Sequence, residues 1–163
     1  MGTKKLDSKK TAVPAYFVWG LLTSLSSIDQ ERNNISLFNV IDQITVPKQV
    51  FTEQKKLNKP ILFPVEHELI TLWKRVINVG LANAEILFDV KINITDPLGN
   101  NMPEISQQMV MQKNIRRSRF RIRMEGFLLT QPGDYVYEIS IKKMEGSKFE
   151  KVAEIPFEVC STK

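Results

Sequence analysis

The sequence predicts an all-β fold: a two-sheet antiparallel β-sandwich of about eight strands, immunoglobulin-like in general architecture. Three observations carry this. Runs of β-branched and aromatic residues alternate with turn residues every ~8–15 positions. Apolar side chains recur at every second position in several of those runs, which leaves one face of a sheet solvated. No helical period of 10–15 residues separates the runs, which excludes a βαβ architecture.

Met1 to Pro14 is polar and lysine-rich without periodicity, and reads as a disordered basic tail ahead of a single domain over residues 15–163. The first run is Ala15 to Ser26 and the second is Ile35 to Val46, closed by Pro47. The polar break between them holds Asn33-Asn34, a pair that tolerates positive φ, so antiparallel pairing of the two runs is the economical reading. Lys48 to Pro64 has no clear period and reads as a functional or partly mobile loop, with at most a short helix around Thr52 to Leu57. His67 to Val79 is mixed on both faces, which suits a central strand. Glu85 to Thr95 places Ile86, Phe88, Val90, Ile92 and Ile94 on one face. It ends at Asp96-Pro97-Leu98-Gly99-Asn100, where proline presets φ and glycine supplies the permissive position of a turn. Further strands are expected over Ile105 to Gln112 and over Ser118 to Leu128. Past the Pro132-Gly133 turn, Tyr135, Tyr137, Ile139 and Ile141 share a face. Met144 to Lys148 reads as a hairpin loop, and the last strand turns Ile155, Phe157 and Val159 inward.

At 163 residues with 42% hydrophobic and 25% charged, the chain is of ordinary globular composition and long enough for a core without metals or disulfides. The net charge is +5, but four lysines against one aspartate in residues 1–10 account for +3 of it. The global charge therefore gives no argument for nucleic acid. One cysteine cannot form an internal disulfide, and one histidine with one cysteine cannot build a usual zinc site. The basic start followed by the apolar run Ala12–Leu22 imitates a secretory signal. Pro14 inside the run and the lack of an A-x-A site argue against export, so a cytoplasmic location is expected.

The stretch Leu21 to Val46, with Ser36-Leu37-Phe38-Asn39-Val40-Ile41-Asp42 after a polar turn, resembles the opening of a poorly characterised family of bacterial β-sandwich proteins. That family carries a domain-of-unknown-function label. The ending Pro132-Gly133-Asp134-Tyr135 through Val152-Ala153-Glu154-Ile155-Pro156-Phe157-Glu158-Val159 resembles the same family's closing hairpin. The resemblance implies a sandwich and assigns no activity, cofactor or catalytic residue.

No phosphate-binding loop, dinucleotide fingerprint, serine elbow or H-E-x-x-H is present. His67, between Glu66 and Glu68, reads as a solvated turn histidine rather than a catalytic base, and Cys160 as an inert strand-end thiol. Asp29, Glu31 and Asp96 sit in turns, where aspartate accepts hydrogen bonds from backbone amides. No catalytic residue, cofactor or metal ligand is assigned. The sharpest feature is Arg116-Arg117-Ser118-Arg119-Phe120-Arg121-Ile122-Arg123-Met124. On a strand, Arg117, Arg119, Arg121 and Arg123 form one row, ~6.6–6.8 Å apart. If the next strand pairs with this one, Glu138, Glu154 or Glu158 lies across the ladder and neutralises the row. The chain therefore reads as a non-enzymatic interaction module with an unassigned protein partner, for which the row is a candidate contact. The first alternative is a polyanion or nucleic-acid binder using the row and the lysine tail; the second is an enzyme with an unrecognised site.

Overall fold

The computed structural model describes residues 15–29, 31–32, 34–76, 84–142 and 148–162. Within them the chain forms β1 (Ala15–Asp29), β2 (Asn34–Val40), β3 (Gln43–Val46), α1 (Lys48–Leu57), β4 (Ile61–Phe63) and β5 (His67–Arg75). There follow β6 (Ile86–Thr95), β7 (Ile105–Met111), β8 (Arg117–Met124), β9 (Phe127–Leu129), β10 (Gly133–Lys142) and β11 (Phe149–Ser161). The fold is all-β apart from α1. The tail over residues 1–14, residues 77–79 of the expected central strand and most of the Met144 to Lys148 loop lie outside the described residues.

Local patterning accounts for the second sheet, ordered β3-β11-β10-β6-β7. Ile86, Phe88, Val90, Ile92 and Ile94 of β6 are buried, as are Tyr135, Tyr137, Ile139 and Ile141 of β10. Each such side chain contributes roughly 1.5–3 kcal/mol on burial, and period-2 spacing puts them all on the core face. The first sheet, ordered β2-β1-β5-β8, meets it through rings. Phe88 of β6 packs 5.3 Å from Trp73 of β5 and 6.0 Å from Phe120 of β8. The turns follow the sequence chemistry. Asp96 Oδ1 accepts from the amides of Leu98 and Asn100 at 2.9 and 2.8 Å, and Gly99 takes φ +82°. Asp29 Oδ1 accepts from the amides of Glu31 and Arg32. At the start of β10, the Tyr135 hydroxyl donates to Gln131 O at 2.8 Å and accepts from Thr130 N at 3.0 Å, fixing the corner that launches the strand.

Three expectations are corrected. First, the run Ile35 to Val46 is two strands. Asn39 adopts φ +53°, the Ile41 amide donates to Leu22 O, and the chain then leaves one sheet for the other. There β3 pairs parallel to β11, with Val159 opposite Ile44, so the second sheet is mixed. Burial of Ile44 and Val46 against the core drives the switch. Second, Ser118 to Leu128 breaks at Glu125-Gly126, and β9 pairs with β4 in a third, two-stranded sheet. Among the described residues, eleven strands in three sheets replace a purely antiparallel two-sheet sandwich of about eight. Third, Lys48 to Pro64 is ordered as α1 and β4 rather than a loop. Pro47 precedes the helix, Lys55 and Lys56 face the negative end of its dipole, and Asn58 in the left-handed region ends it. Its apolar anchor is Phe51, too little for a readable period. Of the Asn33-Asn34 pair, Asn33 lies outside the described residues and Asn34 opens β2.

Gly126 carries a testable consequence. A Cβ there would stand 2.6 Å from Phe63 O, a backbone atom that cannot step aside without shifting the β4–β9 pair. Gly126→Ala is expected to cost about 1–3 kcal/mol, as overpacking does. Urea unfolding checks it; a midpoint unchanged from wild type would refute the close approach.

The first sheet curls. Every residue of β5 except Lys74 is buried. Leu69 and Trp73 join the core, whereas Ile70 and Leu72 belong to the opposite face, where Ile70 is 0% exposed. On that face they lie in ladder register with Leu21 and Trp19 of β1 on one side and with Arg121 and Arg119 of β8 on the other. Beyond Thr23, β1 outruns β5 and bends back across it. Ser26 Oγ donates to Glu68 Oε2 at 2.5 Å, and Arg121 Nη1 donates to Ser26 O at 3.4 Å. The described part of the signal-like run Ala12–Leu22, residues 15–22, is thus the paired half of β1, with Ala15 and Leu22 in the core. No helix among the described residues is long and apolar enough to cross a membrane.

Candidate functional site

The arginine row lies on β8, an edge strand of the first sheet, and pairs with β5 rather than β10. The expected acidic partners are therefore wrong. Glu138 and Glu154 belong to the second sheet, where both face Lys151 at 3.6 and 2.5 Å, and Glu158 accepts from the Gln43 side chain. The short break at Glu125-Gly126 sends the chain into β9, so β8 and β10 are not neighbours. The acids that meet the row come instead from the start of β5. Arg123 Nη2 donates to Glu66 Oε2 at 2.5 Å, a contact that raises the Arg123 pKa further. Arg121 Nε stands 3.9 Å from Glu68, whose carboxylate is buried and also accepts from Ser26.

The row is thus divided. Its second half, Arg121 and Arg123, faces carboxylates of its own chain. Its first half lines an open cleft of about 590 Å³ bordered by Ile28, Val110, Gln112, Ile115, Arg117, Ser118, Arg119 and Phe120. Two edges frame it, because β7 ends the second sheet as β8 ends the first. Ile28, Val110 and Ile115 are 39, 42 and 40% exposed there. Across the ladder from Arg117 stands Lys74, with its Nζ 5.5 Å over the Tyr16 ring. Arg117 makes no ion pair among the described residues. Asp29, next to Ile28, commits its carboxylate to the amides of Glu31 and Arg32.

Two residues that shape this region carry no local signal in the sequence. Arg75 is 2% exposed and donates from Nε to Ile115 O at 2.9 Å, from Nη1 to Ala84 O at 2.7 Å, and from Nη2 to Met111 O and Gln112 O at 3.1 and 2.6 Å. It fixes the β7–β8 connection, which forms one end of the cleft. His67, expected among solvated acids, is 1% exposed. Its Nδ1 lies 2.9 Å from the Val65 carbonyl, a pure acceptor, so Nδ1 carries the hydrogen and Nε2 accepts the Tyr137 hydroxyl at 2.6 Å. Burial lowers the His67 pKa, and burial raises that of Tyr137. The pair is a closed hydrogen-bonded unit inside the core, away from the cleft lining.

Elsewhere the chemistry is sparse. Cys160 is half-buried, with the Gln43 Nε2 donor 2.8 Å from its Sγ. Burial disfavours the charged Asp96 carboxylate, but hydrogen bonds from Asn100, Thr130 and Leu98 outweigh it and hold the pKa below the ordinary value. Among the described residues, no three His, Cys, Asp or Glu side chains converge.

No protein-family model and no curated protein matches this chain. Its fold is similar to a region of the Pseudomonas fluorescens alkylpurine DNA glycosylase AlkC, solved bound to DNA containing an abasic site analog. The identity is 9% and the TM-score 0.50, over 92% of this chain and 31% of that one. The C-terminal domain of wzt aligns at 9% identity and TM-score 0.45, over 93% of this chain and 75% of that one. This chain thus spans about a third of the glycosylase's length, and the likeness is one of fold alone.

Proposed function

We propose that this chain is a non-enzymatic, cytoplasmic all-β module that binds another protein, and that the cleft between β7 and β8 is its contact surface. The observation that carries this reading is the pairing of two strand edges, open among the described residues, with exposed apolar side chains and arginine. Arginine beside apolar anchors is the composition enriched in protein interfaces, and an unprotected edge invites pairing with another chain. The polyanion alternative draws less support. A phosphate track would use the whole row, and Arg121 and Arg123 already face Glu68 and Glu66.

The deciding experiment is selection from a displayed random peptide library on the wild-type protein, with counter-selection on an Arg117→Glu/Val110→Glu variant. Both side chains point into solvent, so the variant is expected to keep the wild-type circular dichroism. Enriched peptides that bind the wild type and not the variant support the reading. Binding of single-stranded DNA or RNA that falls steeply with salt and is lost in an Arg121→Gln/Arg123→Gln variant would replace it with the polyanion alternative.

A further inference from the structure

We propose that the chain forms a twofold-symmetric dimer in which β2 of one copy pairs antiparallel with β2 of the second. The first sheet then continues across the axis, and the occupant of this edge is a second copy of the same chain. In strand order β2 is the opposite edge of that sheet from β8, so the dimer and the cleft are separate surfaces.

The backbone supplies the first part of the argument. Among the described residues β2 pairs with β1 alone. Phe38 O accepts from Thr23 Oγ1 at 2.6 Å and from Ser24 Oγ at 2.9 Å, so it faces β1. Successive residues of a strand turn their amides and carbonyls to opposite sides, so those of Ile35 and Leu37 face the open edge. A second β2, running antiparallel about an axis near Leu37, presents the same outward groups. Each copy's donors then meet the other's acceptors.

Charge supplies the second part, and it selects a copy of the chain as the occupant. At a twofold axis a side chain meets its own copy, so a charge there repels itself. β2 reads Asn34-Ile35-Ser36-Leu37-Phe38-Asn39-Val40, without a charged residue. β8 carries four arginines, the kind of charge that keeps an edge from pairing with itself. β7 is uncharged too, but its Val110 lines the cleft. Apolar surface completes the match. Leu25, Phe38 and Val40 are 57, 49 and 58% exposed. The ladder sets Leu25 across from Phe38 and Thr23 across from Val40, so the three exposed side chains lie together at this edge. In the dimer the two patches join into one strip, Leu25 and Phe38 of one copy beside Phe38 and Leu25 of the second.

Sedimentation velocity on the full chain, from about 1 to 300 µM, tests this. The mass is expected to rise with concentration from 18.8 kDa towards twice that value. Phe38→Glu should weaken the dimer at least roughly tenfold, because it sets two like charges near the axis. Val40→Lys serves as a second variant should Phe38→Glu perturb folding, and Val110→Glu, on the cleft, should leave the dimer unchanged. Added salt should not weaken the dimer, since two copies of net charge +5 repel. Ser36→Cys, Leu37→Cys and Phe38→Cys, each combined with Cys160→Ser, read the register under mild oxidation. At least one should link two copies, because facing Cβ atoms of paired strands stand ~4.5–5.5 Å apart. A mass of 18.8 kDa across the whole range would overturn the dimer and leave the cleft reading untouched. A dimer that survives both β2 variants, or that none of the three cysteines links, would overturn the β2 edge as its interface. Loss of the dimer on Val110→Glu but not on Phe38→Glu would move self-association to the cleft. A monomer that captures library peptides, and loses them on Phe38→Glu, would assign the β2 edge to a different protein.

Discussion

Replacing Arg75 with alanine is expected to destabilise the protein by more than about 3 kcal/mol, a large share of the 5–15 kcal/mol typical of a domain. The guanidinium is buried and, among the described residues, donates to the backbone carbonyls of Ala84, Met111, Gln112 and Ile115. A hydrogen bond from a charged donor contributes roughly 1.5–3 kcal/mol, and deleting the donor leaves the carbonyls without that partner, the buried Met111 carbonyl among them. Arg75→Lys keeps the charge but not the fork, so it should recover only a minor part of the loss. Chemical denaturation of the two variants measures this. A loss under about 1 kcal/mol for Arg75→Ala would show that the β7–β8 connection holds its shape by other means.

His67 gives the second large effect, and it depends on pH. Its folded pKa lies below the ordinary 6.5 because burial disfavours the imidazolium. In the unfolded chain the ring protonates near 6.5; in the folded protein it stays neutral until a lower pH. The unfolded state therefore binds the extra proton between those two values, and stability falls as pH drops below 6.5, by at most about 1.4 kcal/mol per unit. Above 6.5 the full contribution is present. Because His67 is the single histidine of the chain, no other side chain of that type titrates in this window. Asp96, with its pKa lowered, loses its contribution only further down, as pH falls below the ordinary carboxylate value. His67→Gln should lower stability at pH 7.5 by about 1–3 kcal/mol and flatten the decline between pH 6.5 and 5. Thermal melts across that range decide it; an equally steep decline in the variant would place the titration elsewhere.

What could be read from the chain and what could not divides along one physical line. Alternation is a local property: Ile86 to Ile94 and Tyr135 to Ile141 point to the core because successive Cβ atoms alternate, whatever strand lies beside them. Turn chemistry is local too, so Asp96 and Asp29 bind nearby amides as their sequence contexts predict. The same locality puts Arg117, Arg119, Arg121 and Arg123 in one row. Their partners are not local. Glu66 and Glu68 reach the row because β8 pairs with β5, across some 50 residues that no period encodes. Arg75 and His67 look like solvated polar residues until the β7–β8 connection and β10 close around them. The switch of β3 into a parallel pairing with β11 hangs on a single left-handed Asn39 and on the burial of Ile44 and Val46. The sequence by itself determined the core face of the alternating strands and the turns at Asp29 and Asp96. Only the tertiary structure decided which edges stayed open and which charges met, because strand order is settled by core burial summed over the whole chain rather than by any segment's own pattern.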